Sequence, residues 1–282
     1  MGELPATPAA PEPLPHPVVD AHCHMDLAMA DEPVRALADA MSVAAAVGVT
    51  KVVQVGVDVV TSRWAVQAAN SHPDVVGTVA LHPNEAPRIH ANGGDAALDD
   101  ALAQIDELAA ERRVRAIGET GLDFFRTGQD GREAQMRSFR AHIELAKKHQ
   151  KALMIHDRDA HEEVVRILDE DGAPQTVVFH CFSGDEWLAG VCAQRGWYAS
   201  FAGTVTYKNA NNIRAGLAVM PDHLILTETD APFLPPVPHR GQVNGSYLMP
   251  LTVRFMAQER GVEVADFAAR TQANAFAVFG QW

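Results

Sequence analysis

The residues best suited to chemistry in this chain are imidazoles and carboxylates that close short apolar runs. His22 and His24 end VVDAHCH (18–24), Glu119 closes VRAIGETGLD (114–123), His156 and His180 follow ALMI and TVVF, and Asp230 stands in LILTETDAP (224–232). A His-X-His pair arises by chance in about half of all chains this rich in His, so the spacing alone carries little. Within a strand, however, residues i and i+2 point to one side, which aims both imidazoles the same way and turns Cys23 from them. Four neutral imidazoles with two carboxylates suit two divalent cations. A carboxylate has two oxygens and can bridge, whereas an imidazole normally holds one metal, so Glu119 or Asp230 is the bridge. Zn²⁺ or Mn²⁺ fits so much nitrogen better than Mg²⁺, which prefers oxygen.

Eight apolar runs must position these groups: 18–24, 49–57, 75–83, 114–123, 152–159, 176–184, 197–204 and 224–232. Continuous apolar runs separated by helical patterns read as buried parallel strands, and eight of them close a barrel. The expected fold is therefore α/β, a (β/α)8 TIM barrel over 18–282 in a single domain. Active sites of such barrels lie at the C-terminal ends of the strands, where all six residues fall. A lone His at a strand end is more often structural than a ligand; six positions chosen by one geometric rule reverse those odds. His72, His90, His142, His149, His161 and His223 fall in helices, loops or strand starts and read as structural or solvated. His82, in ALHPNEA at the end of the third run, is intermediate, placed to orient a ligand or touch substrate.

Between the runs, DAHEEVVRILDEDG places Asp159 to cap a helix, Glu162 to complete a capping box and Gly172 to end it. Residues 132–150 put Met136, Phe139, Ile143 and Ala146 on one side of a helix and cations on the other. Residues 1–17 hold six Pro and neither a basic nor an apolar leader segment, and read as an extended, mobile tail. No apolar stretch is long enough to span a bilayer, and the three Cys lack any CxxC spacing. These features suggest a cytoplasmic protein, a monomer with no obligate protein partner. A formal charge of −13 argues against a general nucleic-acid sheath, but not against an enzyme that holds phosphate in one cleft.

Taken in order, DAHCHMD, ALHPNEA, AIGETGLDFF, MIHDRDA, VFHCFSG and TETDAPFL resemble the motifs of the TatD-related hydrolases, a metal-dependent deoxyribonuclease family among the amidohydrolase-like barrels. The likeness covers almost all of 18–280. It implies that His22, His24 and Asp230 hold one metal, that His156 and His180 hold a second, and that Glu119 bridges them. It also places Arg158 near substrate and Lys208 near phosphate. Two departures stand out: the family's His-Pro-His is His82-Pro83-Asn84 here, and its acidic-Pro pair after Asn244 is Gly245-Ser246, with Val243 before that Asn.

The implied reaction is hydrolysis of phosphodiester bonds in DNA by metal-held water, working 3′ to 5′ from single strands or ends. Asp230 is the expected proton acceptor, with Glu228, on the same strand face, as its partner or alternate. The nearest alternative is a metal-dependent amide or ester hydrolase of this barrel class, such as an aminoacyl deacylase. Some of those bridge their metals with a carboxylated Lys, but Lys151 begins its run and Lys208 follows another, leaving Glu119 as the bridge. A catalytically silent metal-binding protein is a distant third.

Overall fold

Eight parallel strands alternate with helices in the computed structural model, which describes residues 8–28 and 34–282. The strands are β1 (Val18–Cys23), β2 (Val49–Val55), β3 (Val75–Val79), β4 (Val114–Asp123), β5 (Ala152–Arg158), β6 (Val177–Phe179), β7 (Tyr198–Phe201) and β8 (Ile225–Thr227). Each ladders with the next in chain order. Helices α1 (Leu37–Ala46), α2 (Val59–Ser71), α3 (Glu85–Ala109), α4 (Gln129–His149), α5 (His161–Asp171), α6 (Glu186–Arg195) and α7 (Asn211–Val219) fill the crossovers, and α8 (Met249–Arg260) and α9 (Val264–Phe279) follow β8. The chain is a (β/α)8 barrel. Among the described residues no helix is long and apolar enough to cross a membrane.

The strands are apolar on both faces because both are covered. One face packs on the helices through residues such as Val18, Val52, Ile117 and Phe179. The other fills the barrel: Val19, Ala21, Val53, Val76, Met154 and Leu226 form a separate core, plugged by Ala275, Val278 and Phe279 of α9. Full burial of one Val, Leu or Phe side chain contributes about 1.5–3 kcal/mol, so this inner core rigidly fixes the frame on which the polar mouth sits.

The barrel closes without a regular β1–β8 ladder. Instead the His24 amide donates to Ala231 O (2.7 Å) and the Asp230 amide to His22 O (2.9 Å). Lower down the buried Asp20 carboxylate takes the ladder's place, accepting from the Thr229 amide (2.9 Å) and the Thr229 hydroxyl (2.6 Å).

Two expectations about local structure need correction. Of the supposed mobile tail, residues 1–7 lie outside the described residues, but residues 8–17 are anchored. Leu14 is buried with its amide on Val47 O, Arg254 donates to Pro13 O, and the Tyr247 hydroxyl donates to Pro8 O. Asp159 does not cap α5: it sits at φ 55°, in the turn before the helix, and Ala160 is the cap residue. Glu162 lies in the first turn without a capping box, while Gly172 ends the helix and Val164, Val165, Ile167 and Leu168 form its buried face as the pattern predicts. Helix α4 begins at Gln129, three residues ahead of expectation, and buries Phe139, Ile143 and Ala146, with Met136 partly buried.

Candidate metal centre

Strict alternation carries some of the site residues to the mouth and not others. Ala152 and Met154 face into the barrel, so His156 follows them inward; Val178 does the same for His180, and Leu226 for Glu228 and Asp230. In β1, Val19 and Ala21 face inward, and by the same rule His22 belongs among the helices. The pairing register shifts between Asp20 and Cys23, and that irregularity swings His22 and His24 into the mouth while Cys23 packs outward. In β4, Ala116 faces inward and Glu119 is out of phase; a second shift between Ile117 and Thr120 re-aims it. Bulges of this kind commonly redirect side chains beside active sites. Gly121 permits the β4 course: its φ is +134°, and a Cβ there would lie 2.1 Å from His156 O.

The six candidate ligands converge around Glu119. Its Oε2 lies 3.4 Å from His22 Nε2 and 3.7 Å from His24 Nε2. Its Oε1 lies 2.7 Å from His156 Nδ1, 2.8 Å from His180 Nε2 and 3.3 Å from His82 Nε2. Asp230 Oδ1 is 3.6 Å from His22 Nε2 and 3.5 Å from His24 Nε2. Glu119 thus divides its two oxygens between two imidazole pairs, whereas Asp230 serves the first.

Hydrogen bonding fixes the tautomers of the first pair and tests whether a cation fits. His22 Nδ1 faces the Met154 sulfur (3.0 Å) and His24 Nδ1 faces Val55 O (3.3 Å), both acceptors only. Both Nδ1 therefore carry protons, which leaves two Nε2 lone pairs 3.1 Å apart, pointed at the carboxylates. Bare lone pairs repel at that distance. Ligand atoms about 2.0–2.2 Å from one ion stand roughly 3–3.5 Å from each other, so the donors fit a divalent cation. His180 repeats the argument: Nδ1 donates to Glu228 Oε1 (3.2 Å), leaving Nε2 toward Glu119. Glu228 Oε1 also accepts from the Cys181 amide (2.7 Å), and its buried Oε2 has no partner among the described residues.

Protons and cations compete for these positions. Burial pushes the His180 pKa down, yet the charges of Glu119 and Glu228 outweigh it and hold the imidazole well above its ordinary value. Burial and the His180 charge lower His22. His24 is raised because its hydrogen bond to Asp230 and that group's charge exceed the cost of burial. For His156, burial is outweighed by Asp123 and Glu119, which raise it. Burial works against charge on Glu119 and Asp230, but the surrounding imidazoles pull both below the usual carboxylate range.

His82 differs from the others. Its Nδ1 accepts the Asn84 amide (3.1 Å), so Nε2 carries the proton and donates toward Glu119. That tautomer suits a positioning donor better than a ligand, and burial lowers its pKa despite Glu119. Its neighbourhood rests on His142, which is buried and accepts the Leu81 amide at Nε2. Asn84, which departs from the motif that the sequence resembles, donates through Nδ2 to Asp123 Oδ2 (3.1 Å). Asp123 in turn lies 3.4 Å from His156 Nε2.

The predicted substrate contacts lie on this rim. The Arg158 guanidinium sits 3.8 Å over the ring of Phe125, which is 62% exposed, and among the described residues neither Arg158 nor the exposed Lys208 pairs with a carboxylate. Sequence reasoning missed Asp20, Asp123 and Phe125. A charged residue inside the apolar run VVDAH and a second carboxylate in the Glu119 run were the available signals.

Beside His24 opens a cavity of about 490 Å³, walled by Leu27, Val34, Val43, Pro232 and Val243. Both departures after Asn244 line it too. At Gly245 a Cβ would stand 2.7 Å from Tyr247 Cε1, so a side chain there would have to displace that ring. Asn244 donates to Thr229 O (2.9 Å) and Phe233 O (2.6 Å), which ties this wall to the turn that carries Asp230.

Residues 19–280 match the family model of the TatD related DNases. A Mycobacterium tuberculosis protein named as an uncharacterized metal-dependent hydrolase TatD is 41% identical over 269 residues, covering 93% of this chain and 98% of the relative. The Bacillus subtilis metal-dependent hydrolase YabD, likewise described as uncharacterized, is 33% identical over 92% of this chain and 98% of its own. The crystal structure of the Escherichia coli TatD homologue YjjV superposes with a TM-score of 0.83 at 26% identity, covering 94% of this chain and 98% of that one.

Proposed function

Because the chain belongs to the TatD-related family of metal-dependent hydrolases, we propose that it cleaves phosphodiester bonds in DNA, removing nucleotides from the 3′ ends of single strands. The observation that carries this reading is the division of Glu119 between two imidazole pairs, the arrangement expected of a bridge between two cations. His22, His24 and Asp230 would hold one ion, His156 and His180 the other, with Zn²⁺, Mn²⁺ and Mg²⁺ as the candidates. Bound there, the pair supplies Lewis acidity and makes water available as a nucleophile near neutral pH.

The chain's own groups do the rest. Asp230, depressed below the usual carboxylate range and 13% exposed at its side chain, accepts the proton of the attacking water. Glu228 holds the His180 tautomer through Nδ1. His82 presents an Nε2 proton to the reacting centre, and the unpaired Arg158 and Lys208 receive phosphate oxygens. Phe125 and Arg158 together offer a stacking face of the kind that holds unpaired bases. The largely apolar cavity beside His24, whose lining also includes Arg35 and Tyr247, takes the terminal base, a flat group, and its uncharged 245–246 wall suits that occupant. A net charge of −13 favours a strand end over a long duplex, whose backbone calls for a longer run of cations.

The test is release of mononucleotides from labelled single-stranded DNA in Mg²⁺, Mn²⁺ or Zn²⁺, run beside an aminoacyl ester. Label should leave the 3′ end first, and cleavage should vanish with chelator and in Asp230→Asn. Activity that survives either treatment overturns the mechanism. Hydrolysis of the aminoacyl ester without cleavage of DNA would move the substrate to the carboxylic esters.

A further inference from the structure

The opposite end of the barrel carries a second cavity, of about 940 Å³, walled by the starts of β4 and β5, the end of α4, the approach to β6 and the end of α9. Its lining includes Arg112, Arg115, Lys147, His149 and Lys151, and no Asp or Glu. In a chain with 36 acidic against 23 basic residues, such segregation is unexpected of a surface that only needs to be soluble.

Many cations on this molecule are paired: Arg137, Arg140, Arg166, Arg195 and Arg260 each meet carboxylates. Three in this cavity are not. Among the described residues Arg112 and Arg115 have no ion pair, and Lys151 reaches only the carbonyls of Ala109 and Glu111. The Arg115 Nε is buried without a hydrogen-bond partner. Burial, and after it the charge of Arg115, outweigh the opposing charge of Glu111 and push the Lys151 ammonium down to about 8, so these like charges are held together at a cost. Thr176, Gln150 and Gln175 add uncharged hydrogen-bonding groups to the same wall.

We infer that this cavity binds a multiply charged, phosphate-bearing anion, at a site separate from the metal centre. Arg115 supplies a planar fork of donors that suits phosphate oxygens, with the Lys151 ammonium as a point charge and Arg112 as a second, exposed guanidinium beside it. Val278 and Phe279 line the cavity and also plug the inner core, so an anion seated here braces the base of the barrel.

Pyrophosphate is the probe, titrated calorimetrically into intact protein stripped of metal on a chelating resin. One equivalent should bind, with a rise in melting temperature. Glu119→Ala, which breaks the metal centre at the other end, should leave that binding unchanged. Arg115→Ala combined with Lys151→Ala should weaken it at least tenfold. Because Lys151 also supports two carbonyls, Arg112→Glu provides an exposed charge reversal that removes no backbone contact, and it should weaken binding severalfold with the fold intact. The proposal fails if wild-type protein binds no pyrophosphate at millimolar concentration, if the Arg115 and Lys151 changes leave affinity untouched, or if Glu119→Ala abolishes it.

Discussion

The two imidazole pairs that flank Glu119 are supported differently. His22 and His24 lean on neutral acceptors, the Met154 sulfur and Val55 O, inside a fully buried strand end. His156 and His180 stand against carboxylates, Asp123 and Glu228. A carboxylate behind an imidazole raises its basicity and fixes its orientation, whereas a carbonyl or thioether mainly fixes orientation. The second pair is therefore the stronger donor set and also the one that must surrender more protons before it can accept a cation. Two ions held as proposed, with Glu119 between them, need not be taken up with equal ease.

The largest effect should come from the group both sides share. Glu119→Ala is expected to lower hydrolysis on the order of 10³-fold or more and to reduce metal content at both pairs, measured by steady-state rates and elemental analysis. Loss of only one ion would show that the bridge is not shared. Next come the supports: Glu228→Gln should weaken metal binding by about 10- to 100-fold, whereas Met154→Leu, nearly equal in volume, should change it by less than about threefold. Equal losses in competitive chelator titrations would erase the distinction between the two pairs.

A smaller effect is expected of an imidazole outside the cluster. His142 is fully buried, and desolvation pushes its pKa down to about 4 from 6.5. The unfolded chain takes up this proton first, so stability is full above about pH 7 and falls as pH drops through the window from 6.5 to 4. The loss amounts to roughly 3 kcal/mol at most. Urea denaturation at pH 7 and pH 5 should show a shallower dependence in His142→Gln; an unchanged slope would assign the acid sensitivity to the cluster imidazoles instead.

The barrel and the convergence of its strand-end residues were legible because each follows from a simple period. His156, His180, Glu228 and Asp230 reach the mouth by counting in twos from buried neighbours. His22 and Glu119 do not. Their strands change register first, and a register shift leaves no mark in hydrophobic pattern, since both faces of a parallel strand are apolar. The i, i+2 reading of His22 and His24 was right locally because the irregularity moves the pair together. Tautomers were equally hidden. Nothing in ALHPNEA says that the Asn84 amide will claim His82 Nδ1, nor that Asn84 will hold Asp123. The docking of residues 8–17 escaped a reading of composition, because prolines dictate extension but not whether a groove awaits.

The seam between β1 and β8 gives the cluster a topological role. His22 and His24 come from the first strand and Asp230 from just beyond the last, so a cation shared by them would clasp chain segments some two hundred residues apart. Such a clasp would span most of the polypeptide and would reinforce the backbone hydrogen bonds that close the same seam. A ribosome must finish nearly the whole domain before the first two histidines meet their carboxylate. Assembly of the proposed His22, His24 and Asp230 site is thereby tied to near-completion of the chain.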